Sequence, residues 1–259
     1  MHMNIDVDLD YRLAAPGAAI LTLEVADTAG QQIRASDMRF DPPLDFRRVT
    51  AEEGIGQRIM AHVEDRLSLR YRAEIEVTRP RPDLARMQAL PVHDLPGEAL
   101  RHMLPSRYCE AHRFLHFTAS RFQGLTGGPL VVALRDWVED QLDYVPGVST
   151  GDTTAADTFT DRRGVCRDYA HLLIALCRAG QVPARIASVY APPVNPQDFH
   201  AVAQVFLDGD WHLVDPTGMA EADGMALVAV GRDATDVAFL TTITDAQMDG
   251  QQVAVRQIL

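Results

Sequence analysis

Three side chains in the second half of the chain, Cys166, His200 and Asp215, have the types and the local settings for nucleophilic chemistry. Cys166 follows Gly164-Val165 and opens a stretch in which Tyr169, Leu172, Leu173, Leu176 and Cys177 recur at helical spacing before Gly180. That pattern predicts an amphipathic helix with the thiol on its first turn. A thiol attacks as the thiolate, and the unpaired N–H groups and positive dipole end of a helix N-terminus favour the anion. Such placement brings a free thiol from a pKa of about 8.5 into the range of roughly 3.5–7.5. Arg162, Arg163 and Arg167 add positive potential. The Cys166 N–H is the natural donor for the oxyanion of a tetrahedral intermediate.

The base and its orienter come from a hairpin. Asp208-Gly209 is a two-residue turn signal between an apolar strand beginning at His200 and a returning strand that ends at Asp215 before Pro216. Cross-strand partners about such a turn share a constant sum of 417, which sets His200 opposite residue 217 and two steps from Asp215. A diagonal contact of that kind is within side-chain reach. Asp215 then holds one imidazole nitrogen while the other faces the thiol.

Other reactive side chains read as structural. Cys177 falls on the apolar helix face and belongs to the core. Cys109, His112 and His116 have metal-like helical spacing, but no further ligand accompanies them, so no metal is expected. His171 and His212 are assigned to packing or hydrogen bonding, and Asp168 and Arg185 to an internal ion pair or to support of a helix end.

Stepping outward, a period of two runs through Ile5, Val7, Leu9, Tyr11 and Leu13, opposed by Asp6, Asp8, Asp10 and Arg12, and returns over Leu67–Val77. These are antiparallel strands with one wet face. Weaker strand-like pieces lie at 19–26, 33–40 and 59–63, so residues 1–78 are expected to form a β-sandwich. A Pro- and Arg-rich linker spans 79–96. Helical spacing follows over 99–103, 109–122 and 129–142, with Gly127-Gly128-Pro129 as a sharp break. Residues 143–161, polar and rich in Gly, Thr and Asp, are expected to be a loop. Residues 97–259 are assigned to one catalytic domain.

The chain has 259 residues, enough for two domains, and a formal net charge of −12, which disfavours nucleic acid and anionic membrane as partners. All 24 basic residues are Arg, as GC-rich codon usage explains. Three cysteines without a C-x-x-C pair form no disulfide framework and no zinc site. No basic segment followed by an apolar core opens the sequence, and no apolar run reaches the about 18–20 residues of a membrane span, so a cytoplasmic location is expected.

The stretch Gly164-Val165-Cys166-Arg167-Asp168-Tyr169-Ala170-His171, then Val182-Pro183-Ala184-Arg185, resembles the core motif of the transglutaminase-like superfamily. Phe199-His200-Ala201 and Trp211-His212-Leu213-Val214-Asp215-Pro216-Thr217-Gly218 are similar to its His and Asp motifs, in the expected order. Pro105–Cys109, Tyr144-Val145-Pro146-Gly147 and Gly231–Val237 resemble the prokaryotic, cysteine-peptidase-like branch. Residues 100–259 carry most of the resemblance, and the N-terminal region is similar to the β-rich companion domain of that branch. The resemblance implies an α+β fold, with a papain-like core of helices packed on an antiparallel sheet behind the β-sandwich. It implies Cys166, His200 and Asp215 as the catalytic set. Val202 is a departure, since many relatives carry an aromatic residue two places after the His. For an oxyanion side chain, Tyr144 is the candidate.

These readings converge on acyl transfer from a peptide or protein amide through a thioester, with no cofactor. Water as the second substrate gives a peptidase or amidase, which is favoured because no amine-binding feature is visible; an amine gives a transglutaminase. Two other classes compete. An arylamine acetyltransferase-like enzyme would need an acyl-CoA phosphate site, and none is evident. A non-catalytic protein-binding module would lack a member of the Cys/His/Asp set, and none is missing. The sequence carries no mark of oligomeric state.

Overall fold

The computed structural model describes residues 1–258. Its N-terminal region contains β1 (His2–Leu13), β2 (Gly17–Leu21), β3 (Gln31–Phe40), β4 (Phe46–Thr50), β5 (Gln57–Val63) and β6 (Arg66–Val77). Alternate residues of β1, from Met3 through Leu13, are buried, and β6 repeats the pattern from Leu67 to Val77. Each strand thus turns its apolar edge inward and its charges outward. Arg70 pairs with Asp8, and Arg66 with Asp10, across the wet face.

The central region contributes α1 (Gly97–Leu100), α2 (Leu115–Arg121), α3 (Gly127–Gln141), β7 (Asp143–Tyr144), α4 (Ala155–Asp161), β8 (Arg163–Gly164) and α5 (Cys166–Ala179). It is followed by β9 (Ala184–Tyr190), β10 (His200–Leu207), β11 (Asp210–Val214), β12 (Ala226–Gly231), α6 (Ala234–Val237), β13 (Leu240–Thr242) and β14 (Ala246–Ile258). One antiparallel sheet has the order β11-β10-β9-β12. Both of its faces are covered, so β9 is buried at every position. Ile186, Ala203 and Val205 pack into the core shared with α5, whereas Ala187, Val189 and Val202 enter a second core on the opposite face. Helix α5 is buried from Asp168 to Ala179 on all sides, not on one stripe as its sequence spacing suggests. Gly180 matters there for space: a Cβ would lie 2.5 Å from Leu130 Cδ2.

The sequence boundaries need three corrections. The sandwich is not confined to residues 1–78. Its two sheets have orders β14-β1-β6-β3 and β13-β2-β5-β4, so strands from the end of the chain complete both. Val253 and Val255 supply the inward side chains of β14. Its long-range pairing with β1 leaves little local trace beyond that short alternation. Consequently 97–259 is not one structural unit, and residues of the sandwich and of the helix-bearing region share a single apolar core. The 79–96 segment connects the two regions, but it is docked: Leu84 is buried, and Arg79 donates to the carbonyls of Ala222 and Met225.

The expected 143–161 loop contains helix α4. Thr154 and Asp157 cap its start reciprocally, side chain to backbone, which is a capping box. The expected 109–122 helix is broken into a short turn at 111–113 followed by α2. That break separates the Cys109, His112 and His116 positions: Cys109 is wholly buried and both histidines are exposed. Among the described residues no group of three or more His, Cys, Asp or Glu is arranged to hold a metal ion, and no helix is long and apolar enough to cross a membrane.

Candidate active site

Helix α5 begins where the sequence places it. Val165 is its N-cap, in an extended conformation, and Cys166 is its first helical residue. Asp168 reaches back so that its Oδ2 accepts from the Val165 N–H at 2.9 Å. This satisfies one of the otherwise orphaned donors of the helix start. Gly164 makes the turn possible, because a Cβ there would lie 2.7 Å from Asp168 Cβ. Asp168 is therefore helix-end support. Arg185 pairs elsewhere, with Glu53 and, at 2.9 Å, Gln204, and stacks 4.0 Å over the Trp211 ring.

The hairpin forms in the expected register. Leu207 pairs with Asp210 and Ala203 with Val214, around Asp208 and Gly209, both with positive φ as a type I′ turn requires. Beyond the last pair, His200 Nε2 meets Asp215 Oδ2 at 2.8 Å, with both side chains almost wholly buried. Asp215 is held on every side. Its Oδ2 also accepts from the Ala220 N–H at 3.0 Å, and its Oδ1 accepts from the Thr217 N–H at 2.9 Å and the Thr217 hydroxyl at 2.7 Å. An ionised carboxylate only accepts, so these donors suit the ionised form, and His200 Nε2 is the donor of its pair. Thr217 was not singled out from the sequence. Its signal was the Asp-x-Thr spacing, which lets a hydroxyl and an N–H close back on the carboxylate.

With Nε2 committed to Asp215, His200 Nδ1 is left buried without a nitrogen or oxygen partner among the described residues. The side chain next to the imidazole is the Cys166 thiol. Burial alone would lower the imidazole's pKa. The hydrogen bond His200 donates to Asp215 and the neighbouring thiol outweigh it and hold His200 at about 10. The Cys166 sulfur lies 4.0 Å from the Phe199 carbonyl oxygen, at the head of the same strand.

Tyr144 also reaches the Cys166 thiol. The two-residue parallel ladder of β7 with β8 pairs Tyr144 with Gly164, and the Val145 N–H donates to the Gly164 carbonyl at 2.9 Å. Its hydroxyl is set against both the thiol and the backbone N–H of Cys166. Burial, with the sulfur beside it, raises its pKa well above that of an ordinary phenol. The hydroxyl is therefore kept as a neutral donor.

Cys166 opens into a cleft of about 550 Å³. Ile186, Phe199, Val237, Phe239 and Leu240 make its apolar walls, with the Phe199 and Phe239 rings stacked at 4.2 Å. Val202 does not line it. The other two cysteines are wholly buried, and burial pushes both thiols up to about 12. His171 is buried too. It accepts the Ala234 N–H on Nε2 at 3.1 Å and stacks on Tyr108 at 5.1 Å, and burial takes it down to about 4 although Asp233 opposes this. His212 is bonded through Nε2 to the Leu207 carbonyl at 3.1 Å.

Comparison with known proteins agrees with this architecture. Residues 123–216, which include Cys166, His200 and Asp215, match the model of the transglutaminase-like superfamily. The solved structure of the "Putative Cysteine Protease from Cytophaga hutchinsonii" aligns with a TM-score of 0.94 at 30% identity, covering 99% of this chain and 90% of that one. The chain belongs to the transglutaminase-like superfamily. An uncharacterised protein of Mycobacterium leprae (strain TN) is 36% identical over 122 residues, 44% of this chain. The match spans 43% of that relative's length. The transglutaminase-like fold of this chain is thus an α+β arrangement in which α5 presents a thiol and the β10–β11 hairpin presents an imidazole–carboxylate pair.

Proposed function

We propose that the protein is a cysteine-nucleophile hydrolase of peptide or protein amides, acting through a thioester on Cys166. One observation carries this reading: Asp215 fixes His200 through Nε2, and the remaining ring nitrogen has only the Cys166 thiol beside it. His200 and Cys166 share one proton. In the attacking form the thiolate adds to the amide carbonyl, and the oxyanion is met by the Cys166 N–H and the Tyr144 hydroxyl. Collapse breaks the C–N bond, and the leaving amine takes its proton from the imidazolium. Neutral His200 then removes a proton from water, which attacks the thioester and releases the acid and the thiolate. An incoming amine at that last step would give transamidation with the same residues. Water is favoured because it needs no binding site of its own.

The test is alkylation of the intact protein by limiting iodoacetamide between pH 4 and 9, read by peptide mass spectrometry, beside His200→Ala. Cys166 is expected to react well below the pH at which an ordinary thiol does, and the variant to react on the order of a hundredfold more slowly at pH 5 to 6. Equal rates in the two proteins would dispose of the thiolate–imidazolium pair.

A further inference from the structure

Besides the Cys166–His200 pair, the cleft is lined by three charged side chains, and protein already engages two of them. Arg167 donates to the Asp168 carboxylate at 3.1 Å and to the Thr150 carbonyl at 2.8 Å. Arg107 donates to Asp152 at 3.2 Å and lies 4.9 Å over the Tyr108 ring. Asp198 is different. Both of its hydrogen bonds fall on one oxygen: Oδ1 accepts from the Phe199 N–H at 2.8 Å and from Gln251 Nε2 at 2.8 Å. Its Oδ2 has no hydrogen-bonding or ion-pair partner among the described residues. The side chain opens onto the cleft, yet its carboxyl is surrounded enough that burial raises its pKa, against the two hydrogen bonds. Among the described residues no side-chain cation pairs with it.

Asp198 is placed with some care. Gln251, which donates to it, belongs to β14 of the sandwich and in turn accepts from the Tyr11 hydroxyl at 2.9 Å. Gln197 tethers the same loop, accepting from the Val255 N–H at 2.5 Å and donating to the Pro192 carbonyl at 2.7 Å. Asp198 also immediately precedes Phe199, whose carbonyl is against the Cys166 sulfur. The Gln251 and Gln197 contacts hold this exposed aspartate in one place at the cleft.

Building on the hydrolase reading, we infer that Asp198 is a specificity residue that binds an ammonium or guanidinium group on the substrate, next to the amide attacked by Cys166. Asp198 lines the same cleft as the thiol, and Ile186, Phe199, Val237, Phe239 and Leu240 make the apolar part of its walls. A protonated amine is not a nucleophile. The carboxylate therefore suits a charge that stays on the substrate throughout, such as a Lys or Arg side chain or a free amino terminus, and not the group attacking the thioester.

The experiment compares reagents that differ only in charge and need no knowledge of the substrate. Cys109 and Cys177 are wholly buried, so Cys166 is the thiol open to modification. Rates of modification of the intact protein by 2-(trimethylammonium)ethyl methanethiosulfonate and by 2-sulfonatoethyl methanethiosulfonate are read by mass spectrometry. The cation-to-anion rate ratio is expected to drop roughly tenfold in Asp198→Asn, which keeps the Oδ1 contacts and loses the charge. Asp198→Ser should show the same drop. Asp37→Asn, which makes the same change in net charge on exposed β3, should move the ratio less than about twofold. A ratio in both Asp198 variants equal to that of the unaltered protein overturns the inference. The ratio reads only charge near the thiol, so a drop in it together with a His200-independent iodoacetamide profile would leave the cation site standing and remove the hydrolase reading alone.

Discussion

Two buried histidines, His171 within helix α5 and His200 at the head of β10, are sent in opposite directions by their surroundings. His200 donates Nε2 to a carboxylate and has a thiol at its other nitrogen, and it is held at about 10. His171 uses its Nε2 as an acceptor for the Ala234 N–H, and burial takes it to about 4. Burial lowers both and prevails at His171, whereas at His200 the carboxylate and the thiol beside the ring outweigh it. The cysteines divide likewise. Burial pushes Cys109 and Cys177 up to about 12 against the Arg178 charge near each, while Cys166 alone stands at a helix start and opens into a cleft.

The largest way to test the contrast is to remove each thiol in turn. Cys166→Ala should abolish amide hydrolysis, a loss of about 10⁴-fold or more in kcat. Cys177→Ala should keep the activity and cost about 1 kcal/mol of stability for the vacated space, as seen in urea unfolding. Activity surviving in Cys166→Ala would end the nucleophile assignment.

A second variant acts on the imidazole. Asp215→Asn keeps the shape but loses the charge that raises His200, so kcat should drop on the order of 10²–10⁴-fold. The leaving amine needs the imidazolium as acid, so the alkaline limb of kcat/KM should lie near pH 10 in the unaltered protein and move to lower pH in the variant. The same shift has a stability consequence. A histidine raised from 6.5 to about 10 contributes stability that is fully present below pH 6.5 and is lost as pH rises through about 10. Thermal unfolding across pH 6–10 should show that decline in the unaltered protein and a shallower one in Asp215→Asn.

The smallest effect sharpens the other half of the contrast. His171→Phe would leave the Ala234 N–H without its acceptor and should cost roughly 1–3 kcal/mol. It should leave the pH profile of Cys166 alkylation unchanged. A shifted profile would mean that His171 also governs the thiol.

The site was more legible in the sequence than the domains were. Asp208-Gly209 fixes the hairpin register, so the proximity of His200 to Asp215 follows from counting. The start of α5 is written in Gly164, Cys166 and Asp168, all within one turn. Both are local. What escaped was either concealed by composition or carried by distant pairing. Helix α4 lay inside a polar stretch whose Thr154–Asp157 capping box was the only cue. Strand β4, Phe46–Thr50, lacks alternation because most of its residues face solvent. The β14–β1 ladder joins segments far apart in sequence, and no window of residues shows it. Asp198 escaped for a similar reason, since Gln251, which holds it, comes from that last strand.

That pairing also has a consequence in time. During synthesis at about 5–20 residues per second, on the order of ten seconds separates the emergence of β6 from that of β14. Through that interval the sheet of β1, β3 and β6 has an open edge, and the wall that Gln251 steadies beside the cleft is unfinished. The ribosome thus releases the thiol, the imidazole and the carboxylate before the strand that steadies Asp198 beside them.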